Sequence, residues 1–346
     1  MGVEEELLLM SAAGKPLPRS KAVAEQAGDL DVELELTRAQ VEINTPVCET
    51  AAELHEELRR MRSKLAEAAA GQGGRLCAIG VPPSGEAAQL VTKKERYQRM
   101  EARYGLLARE QAVCGCHVHI DVPDKETAIR VSNHLRPWLP VLLALTANSP
   151  IYLGGDTGFA SWRSIMWSRW PCSGPPPYFE SADHYDALVA MQITAGSIMD
   201  ERMVYWDIRP STHLPTVEVR ISDVPLTIDE TVLLATLIRA LVMTALDDGS
   251  RGPKLEPEVL RASYWLAARD GLQGNGLEVL HARPLPMTQA VDLLIDHAAD
   301  ALQELGETDR VRETVQRLTR EGNGAIKQRK AFCEGDDIIA LTEVKP

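Results

Sequence analysis

Cysteine is scarce in this chain and is never paired at metal-ribbon spacing. Six cysteines, Cys48, Cys77, Cys114, Cys116, Cys172 and Cys333, are spread over 346 residues, and no Cys-x-x-Cys occurs. A disulfide scaffold is thereby excluded. Long hydrophobic runs are also missing. The longest covers about ten residues around Trp138 to Ala147, roughly half of what a membrane-spanning helix requires. Positive charge is in deficit, with a formal net charge of -13. That argues against a broad nucleic-acid surface or an anionic membrane as partner, and it obliges any anionic substrate to be neutralised locally. No basic segment followed by an apolar core opens the chain, so a cytoplasmic protein with reduced thiols is expected. There is no internal repeat and no low-complexity segment. The glycine-rich pieces 71–74 and 154–158 fit neither a Walker loop nor a dinucleotide fingerprint. Ser84, in Pro83-Ser84-Gly85, lacks the flanking glycines of a hydrolase elbow.

What is present is an alternation of short aliphatic strands with amphipathic helices. Residues 2–10, 32–44, 76–80, 113–122, 204–209 and 216–222 read as strands. Thr50-Ala51-Ala52-Glu53 is a capping box and predicts a helix from there to about Ala70. Further helices are expected over 93–111, 126–145 (broken by Pro137 and Pro140), 183–200 and 228–246. Residues 148–182 are rich in proline and glycine and read as a long ordered loop holding several tryptophans. After Pro253 the pattern is almost entirely helical. The expectation is one domain over 1–346, with an α+β core at 1–250 and a mostly helical C-terminal part at 251–346.

Several strands carry polar residues in otherwise apolar surroundings. They are Glu4-x-Glu6, Gln40-Val41-Glu42, His117-Val118-His119, Asp207-Ile208-Arg209 and Glu218-Val219-Arg220. Alternate residues of a strand share a face, so Glu4 and Glu6 point together, as do His117 and His119, and Glu5 points away. Taken singly, each has an ordinary explanation. A glutamate on a strand usually faces solvent, and Glu33-Leu34-Glu35 reads that way. His-x-His could serve zinc, but Cys116 and His117 point to opposite faces, which weakens that option. Together, carboxylates with one imidazole suit Mg²⁺ or Mn²⁺, and nearby arginines suit phosphate.

In this order the strings resemble those of the type 2 glutamate–cysteine ligases, or carboxylate–amine ligases, of the glutamine synthetase-like superfamily. The strings are Gly-Val-Glu-Glu-Glu at 2–6, Gln-Val-Glu-Ile-Asn-Thr-Pro-Val-Cys at 40–48, Cys-Gly-Cys-His-Val-His at 114–119, Gly-Gly-Asp-Thr-Gly-Phe-Ala-Ser-Trp-Arg at 154–163, Trp-Asp-Ile-Arg-Pro-Ser at 206–211, Pro-Thr-Val-Glu-Val-Arg-Ile-Ser-Asp at 215–223 and Gly-Asn-Gly-Ala-Ile-Lys-Gln-Arg at 322–329. The resemblance implies a curved antiparallel sheet of about six strands backed by helices. It also implies ATP-dependent ligation through an acyl phosphate, nominally of glutamate to cysteine. By the same resemblance Glu4, Glu6, Glu42, His117 and Glu218 are the expected Mg²⁺ ligands for two or three ions. His119 would touch substrate or order the metal shell. Arg209 and Arg220 would face the transferred phosphoryl group or the substrate carboxylate, and Arg163 would reach in from the lid. Two rivals stand beside this reading: a metal-dependent amidohydrolase using His117 and His119, and a non-catalytic relative that binds a nucleotide or an amino acid.

One departure matters. After the strand at 76–80, relatives commonly continue Gly-Thr-His-Pro and an aromatic, whereas this chain has Gly80-Val81-Pro82-Pro83-Ser84-Gly85. If that turn touches substrate, specificity has shifted. The chain also begins almost directly on its first acidic strand, so a partner subunit or another segment is expected to cover the start of that strand, and a homodimer is the expectation.

Overall fold

The computed structural model describes residues 1–345. Seven strands form one antiparallel sheet: β1 (Gly2–Ser11), β2 (Val32–Leu34), β3 (Gln40–Asn44), β4 (Gly74–Cys77), β5 (Gly115–Asp121), β6 (Ile208–Pro210) and β7 (Thr216–Asp223). Six of them lie in the order β6-β7-β5-β1-β3-β2, and β4 extends β1 beyond the end of β5. The expected α+β fold with an antiparallel sheet of about six strands is therefore what the chain forms. β1 is central. Its residues Leu7 to Met10 are fully buried on both faces, which accounts for an unbroken apolar run where an exposed strand would alternate.

Alternation divides the sheet into two chemistries. Val3, Val41, Ile43, Cys116, Val118, Ile120, Val217, Val219 and Ile208 are buried hydrophobics. Most of them join the core made with the helices Lys125–Leu135, Leu139–Thr146 and Ile228–Asp248. The residues between them, Glu4, Glu6, Glu42, His117, His119, Glu218 and Arg220, line a cavity on the other face. The Thr50–Glu53 capping box forms as expected and starts the helix Ala51–Gly71. Pro137 lies between two helices and Pro140 in the first turn of the second, where proline's missing N–H costs no helical hydrogen bond. In the C-terminal region Leu260, Tyr264, Val291, Leu294 and Leu318 pack into the same core as the sheet.

Some boundaries differ from the sequence reading. The stretch 32–44 is two strands, because the chain turns at Thr37, whose carbonyl accepts from the Gln40 amide. The stretch 204–209 is also divided: Tyr205–Trp206 pairs in parallel with Ser173–Gly174, and β6 follows. Met1 and Val3 at the start of β1 bond to Cys48 and Thr45 of the same chain, at 2.9 and 3.0 Å, so a neighbouring segment ties that strand down.

Glu5 points to the helical face, as alternation requires. It is fully buried and takes two hydrogen bonds from Arg62 of the helix Ala51–Gly71, at 2.6 and 2.7 Å, and one from Thr231 at 2.6 Å. Arg62 also donates to the Pro225 carbonyl. A buried pair broken on one side leaves an uncompensated charge. Arg62→Met is expected to lower stability by about 3–5 kcal/mol, and the double variant Glu5→Gln/Arg62→Met by clearly less. Urea unfolding of the two variants checks this; equal losses would contradict it.

Candidate active site

The cavity on the polar face has a volume of about 1130 Å³. Its wall is a consequence of register. Glu4 pairs with His117, Glu6 with Glu42, and Glu218 with both His119 and Arg209 across neighbouring strands. Residues 4, 42, 117, 119 and 218 therefore sit side by side although the chain separates them by up to 214 positions. Three triads each bring one donor atom per residue within 4.8 Å of the other two: Glu4–Glu42–His117, Glu4–His119–Glu218 and Glu6–Glu35–Glu42. Glu4 belongs to two of them, and so does Glu42. Every residue expected as a metal ligand takes part.

Glu35 is the addition. It stands just beyond β2 and lines the cavity, so the Glu33-x-Glu35 pair is not simply a solvated edge. The signal was available: it is the same acid-x-acid spacing as Glu4-x-Glu6.

The electrostatics show how poorly these acids tolerate one another. Burial, with Glu6 nearby, raises the Glu35 carboxyl to about 8. Burial and the charges of Glu35, Glu4 and Glu6 push Glu42 well up. Glu4 behaves oppositely: burial favours its neutral form, but the imidazoles of His117 and His119 beside it outweigh that and hold it far below the usual range. Glu218 is also held low, since Arg209 and Arg220 overcome its burial. His117 Nδ1 lies 2.8 Å from Glu4, and burial with Arg220 alongside lowers its proton affinity. His119 Nδ1 contacts Thr216 Oγ1 at 2.9 Å. Its Nε2 is 3.0 Å from Glu4 but is not aligned for a hydrogen bond, so it remains a buried nitrogen without a partner. Clustered carboxylates, a neutral imidazole and an orphaned imidazole nitrogen suit hard divalent cations. The donor set fits Mg²⁺ or Mn²⁺. Among the described residues no such cluster includes a cysteine, and burial raises the thiols of Cys114 and Cys116. A zinc site built on them therefore has no support.

The three arginines have different placements. Arg209 grips Glu218 with Nε at 2.8 Å and Nη2 at 3.3 Å, and also donates to the Val204 carbonyl. Arg220 contacts Glu218 through Nη1, which is also 3.3 Å from His117 Nδ1; its Nε has no partner. Between Val219, opposite Val118, and Ser222, opposite Cys116, β7 carries one extra residue. Such a bulge locally disrupts the ladder and bends the strand just past Glu218. Arg163 does not line the cavity. It is 2% exposed, and its guanidinium donates to the carbonyls of Arg220 and Ile221 at 3.4 and 3.3 Å. The expected reach of Arg163 from the lid is thus corrected: it props the bulge from behind.

The turn at 80–85 likewise stands off the cavity. Val81, Pro82 and Pro83 are buried and do not line the cavity. Val81 packs with Val113 and Met166 behind Trp167, and the carbonyls of Pro82 and Pro83 accept from Leu153 and Gly154. Trp167 and Trp170, from the stretch that reads as loop, line the cavity.

Comparison with known proteins places the whole chain among relatives. The protein-family model described as "Glutamate-cysteine ligase family 2 (GCS2)" matches residues 1–336. A Nocardia farcinica protein provisionally named glutamate–cysteine ligase 2-1 is 50% identical over 347 aligned residues, 99% of this chain and 91% of that protein. A Mycobacterium sp. (strain KMS) protein, provisionally named glutamate–cysteine ligase 2-2, is 49% identical, with 99% and 96% covered. The crystal structure of the Francisella tularensis glutamate–cysteine ligase in complex with AMP superposes with a TM-score of 0.74 at 14% identity. The match covers 99% of this chain and 86% of that one. No helix among the described residues is long and apolar enough to cross a membrane.

Proposed function

The chain belongs to glutamate–cysteine ligase family 2, and on that premise we propose that it joins a carboxylate to an amine at the expense of ATP. The observation that carries this reading is the run of three overlapping triads sharing Glu4 and Glu42, with Arg220 beside them. A carboxylate is a poor electrophile. Transfer of the γ-phosphoryl group to one of its oxygens, with ADP leaving, gives an acyl phosphate. The amine nitrogen then attacks the carbonyl carbon, loses a proton and expels phosphate. Phosphoryl transfer asks a protein mainly for positioning and charge neutralisation, which suits a site of acids and arginines.

Glu4, Glu42 and His117, Glu4, His119 and Glu218, and Glu6 with Glu35 and Glu42 would hold Mg²⁺. When bound, Mg²⁺ would neutralise the polyphosphate. Arg209 and its two bonds to Glu218 hold that carboxylate in place, and Arg220 keeps an uncommitted Nε for the transferred group. The nominal substrates are glutamate and cysteine, as the relatives' names indicate.

A panel of acids and amines, assayed for phosphate release with ATP and Mg²⁺, tests the reading. Release that requires both an acid and an amine is the expected result. Amide hydrolysis without ATP would instead favour the hydrolase reading, and no activity with any pair would favour a binding protein.

A further inference from the structure

A second cavity, of about 510 Å³, lies on the helical side of the sheet. Three helices form it: Ala51–Gly71, Ile228–Asp248 and Thr308–Glu321. Its floor is buried and largely apolar, made by Val232, Leu233 and Val311. Thr236 is the exception. It lines the same floor, is 2% exposed, and among the described residues its hydroxyl has no hydrogen-bond partner. Thr244 of the same helix instead returns its hydroxyl to the carbonyl four residues back, at 2.9 Å. A buried polar group left unpaired calls for an explanation, and an occupant of the cavity supplies one. The rim is charged. Arg310, Glu313 and Arg317 recur at helical spacing and so share one side of their helix. Asp229 lies 3.0 Å from Arg317 and 3.3 Å from His55, so one carboxylate ties all three helices together.

The rim and the floor select a ligand between them. Arg310 Nε lies 3.2 Å from Glu307, which leaves its two terminal nitrogens to take a carboxylate in a fork. Glu313, exposed on the same rim, suits an ammonium. A plain carboxylic acid or a phosphate would leave Glu313 facing an anion, and a plain amine would leave the guanidinium unused. A zwitterion satisfies both, with an apolar side chain over Val232, Leu233 and Val311. The placement of the cavity gives it reach. The two helices that meet at His55 and Asp229 are also the two that hold Glu5. Arg62, two helical turns beyond His55, and Thr231, two residues beyond Asp229, each bond to the Glu5 carboxylate at 2.6 Å. Glu5 stands in β1 between Glu4 and Glu6. A ligand carboxylate that competes for Arg317 loosens the Asp229 tie, and with it the clamp on the strand that carries two of the prospective metal ligands. We propose that this cavity is a regulatory site for a free α-amino acid with an apolar side chain, coupled through Glu5 to the acidic centre. The coupling rests on the ligase reading; the binding site does not.

The test titrates the protein calorimetrically, first without nucleotide or metal, with L-leucine, L-valine and L-methionine. Two analogues of leucine serve as controls: 4-methylpentanoate, which lacks the ammonium, and 3-methylbutan-1-amine, which lacks the carboxylate. At least one of the amino acids is expected to bind, and for leucine each analogue is expected to bind about tenfold more weakly or worse, the scale of one lost charged hydrogen bond. Arg310→Gln and Glu313→Gln change exposed rim positions, so folding is spared. Each is expected to weaken amino-acid binding about tenfold and to leave MgADP binding within about twofold. The bound amino acid is then expected to shift the Mg²⁺ concentration needed for ADP binding by about threefold or more, within the usual range of coupling between sites. In Thr231→Val the amino acid should still bind and the shift should vanish. No binding of any of the three, or binding unchanged in both rim variants, overturns the site. Binding with no shift in Mg²⁺ dependence, or a shift that survives in Thr231→Val, overturns the regulatory role. If MgADP itself fails to bind, the ligase reading falls and the coupling with it, while amino-acid binding lost in the rim variants would still establish the site.

Discussion

Glu4→Gln protein is expected to release phosphate about 10³-fold more slowly than the unsubstituted protein, a barrier increase of about 4 kcal/mol, with no drop in unfolding temperature. The reason is its position. Glu4 is shared between the Glu4–Glu42–His117 and Glu4–His119–Glu218 triads, so one lost charge weakens two prospective cation sites. The amide keeps an oxygen able to accept from His117, now at 2.8 Å, and it removes one acid from a crowded cluster. Folding should therefore be spared while binding is not. Calorimetric titration with MgADP, run beside the phosphate assay, separates these effects. Glu33→Gln, on the exposed part of the same cavity wall, belongs to no triad and is expected to stay within about threefold, the usual scale for an exposed charge. Equal losses in the two variants would mean that the acids act only through overall charge.

The second large effect separates two arginines. Arg220→Lys is expected to lower kcat about 10³-fold while leaving MgADP affinity nearly unchanged. Lysine keeps the charge but cannot present both an Nη to Glu218 and a free Nε to a transferred phosphoryl group. Arg209→Lys is expected to act differently. Arg209 is committed to Glu218 in a two-pronged contact, so its loss should appear as roughly tenfold weaker metal dependence, the scale seen when a partner of a ligand is removed. Titration of activity against Mg²⁺ and steady-state kinetics distinguish the two. Similar kcat losses with unchanged Mg²⁺ dependence would show that the roles are not divided.

The acidic centre could be read from the sequence because strand alternation is strictly twofold. Once 2–6, 40–44, 115–121 and 216–220 are strands, Glu4, Glu6, Glu42, His117, His119, Glu218 and Arg220 must each take one face, and Glu5 must take the other. What escaped were features that depend on where strands end and on what lies behind them. Glu35 lies one residue past β2, so its direction follows from the turn at Thr37. Arg163 sits in a helix, Trp162–Trp167, inside a stretch that reads as loop, and its contact with the bulge requires knowing that β7 carries an extra residue. The helix Gly324–Glu334 lies within the part expected to be helical, but its bounds are hard to read. Its local signals are Asn323, whose side chain accepts from the Ile326 amide at 3.3 Å, and the left-handed Gly335 that ends it.

The direct test of ATP-driven carboxylate activation follows oxygen. The acid substrate is labelled with ¹⁸O in its reacting carboxyl group and turned over with ATP, Mg²⁺ and the amine, and the released phosphate is analysed by mass. Activation through an acyl phosphate transfers one carboxylate oxygen to each phosphate, so labelled phosphate is expected in step with amide formation. Unlabelled phosphate, its oxygen drawn from water, would contradict carboxylate activation and leave only ATP hydrolysis at this site.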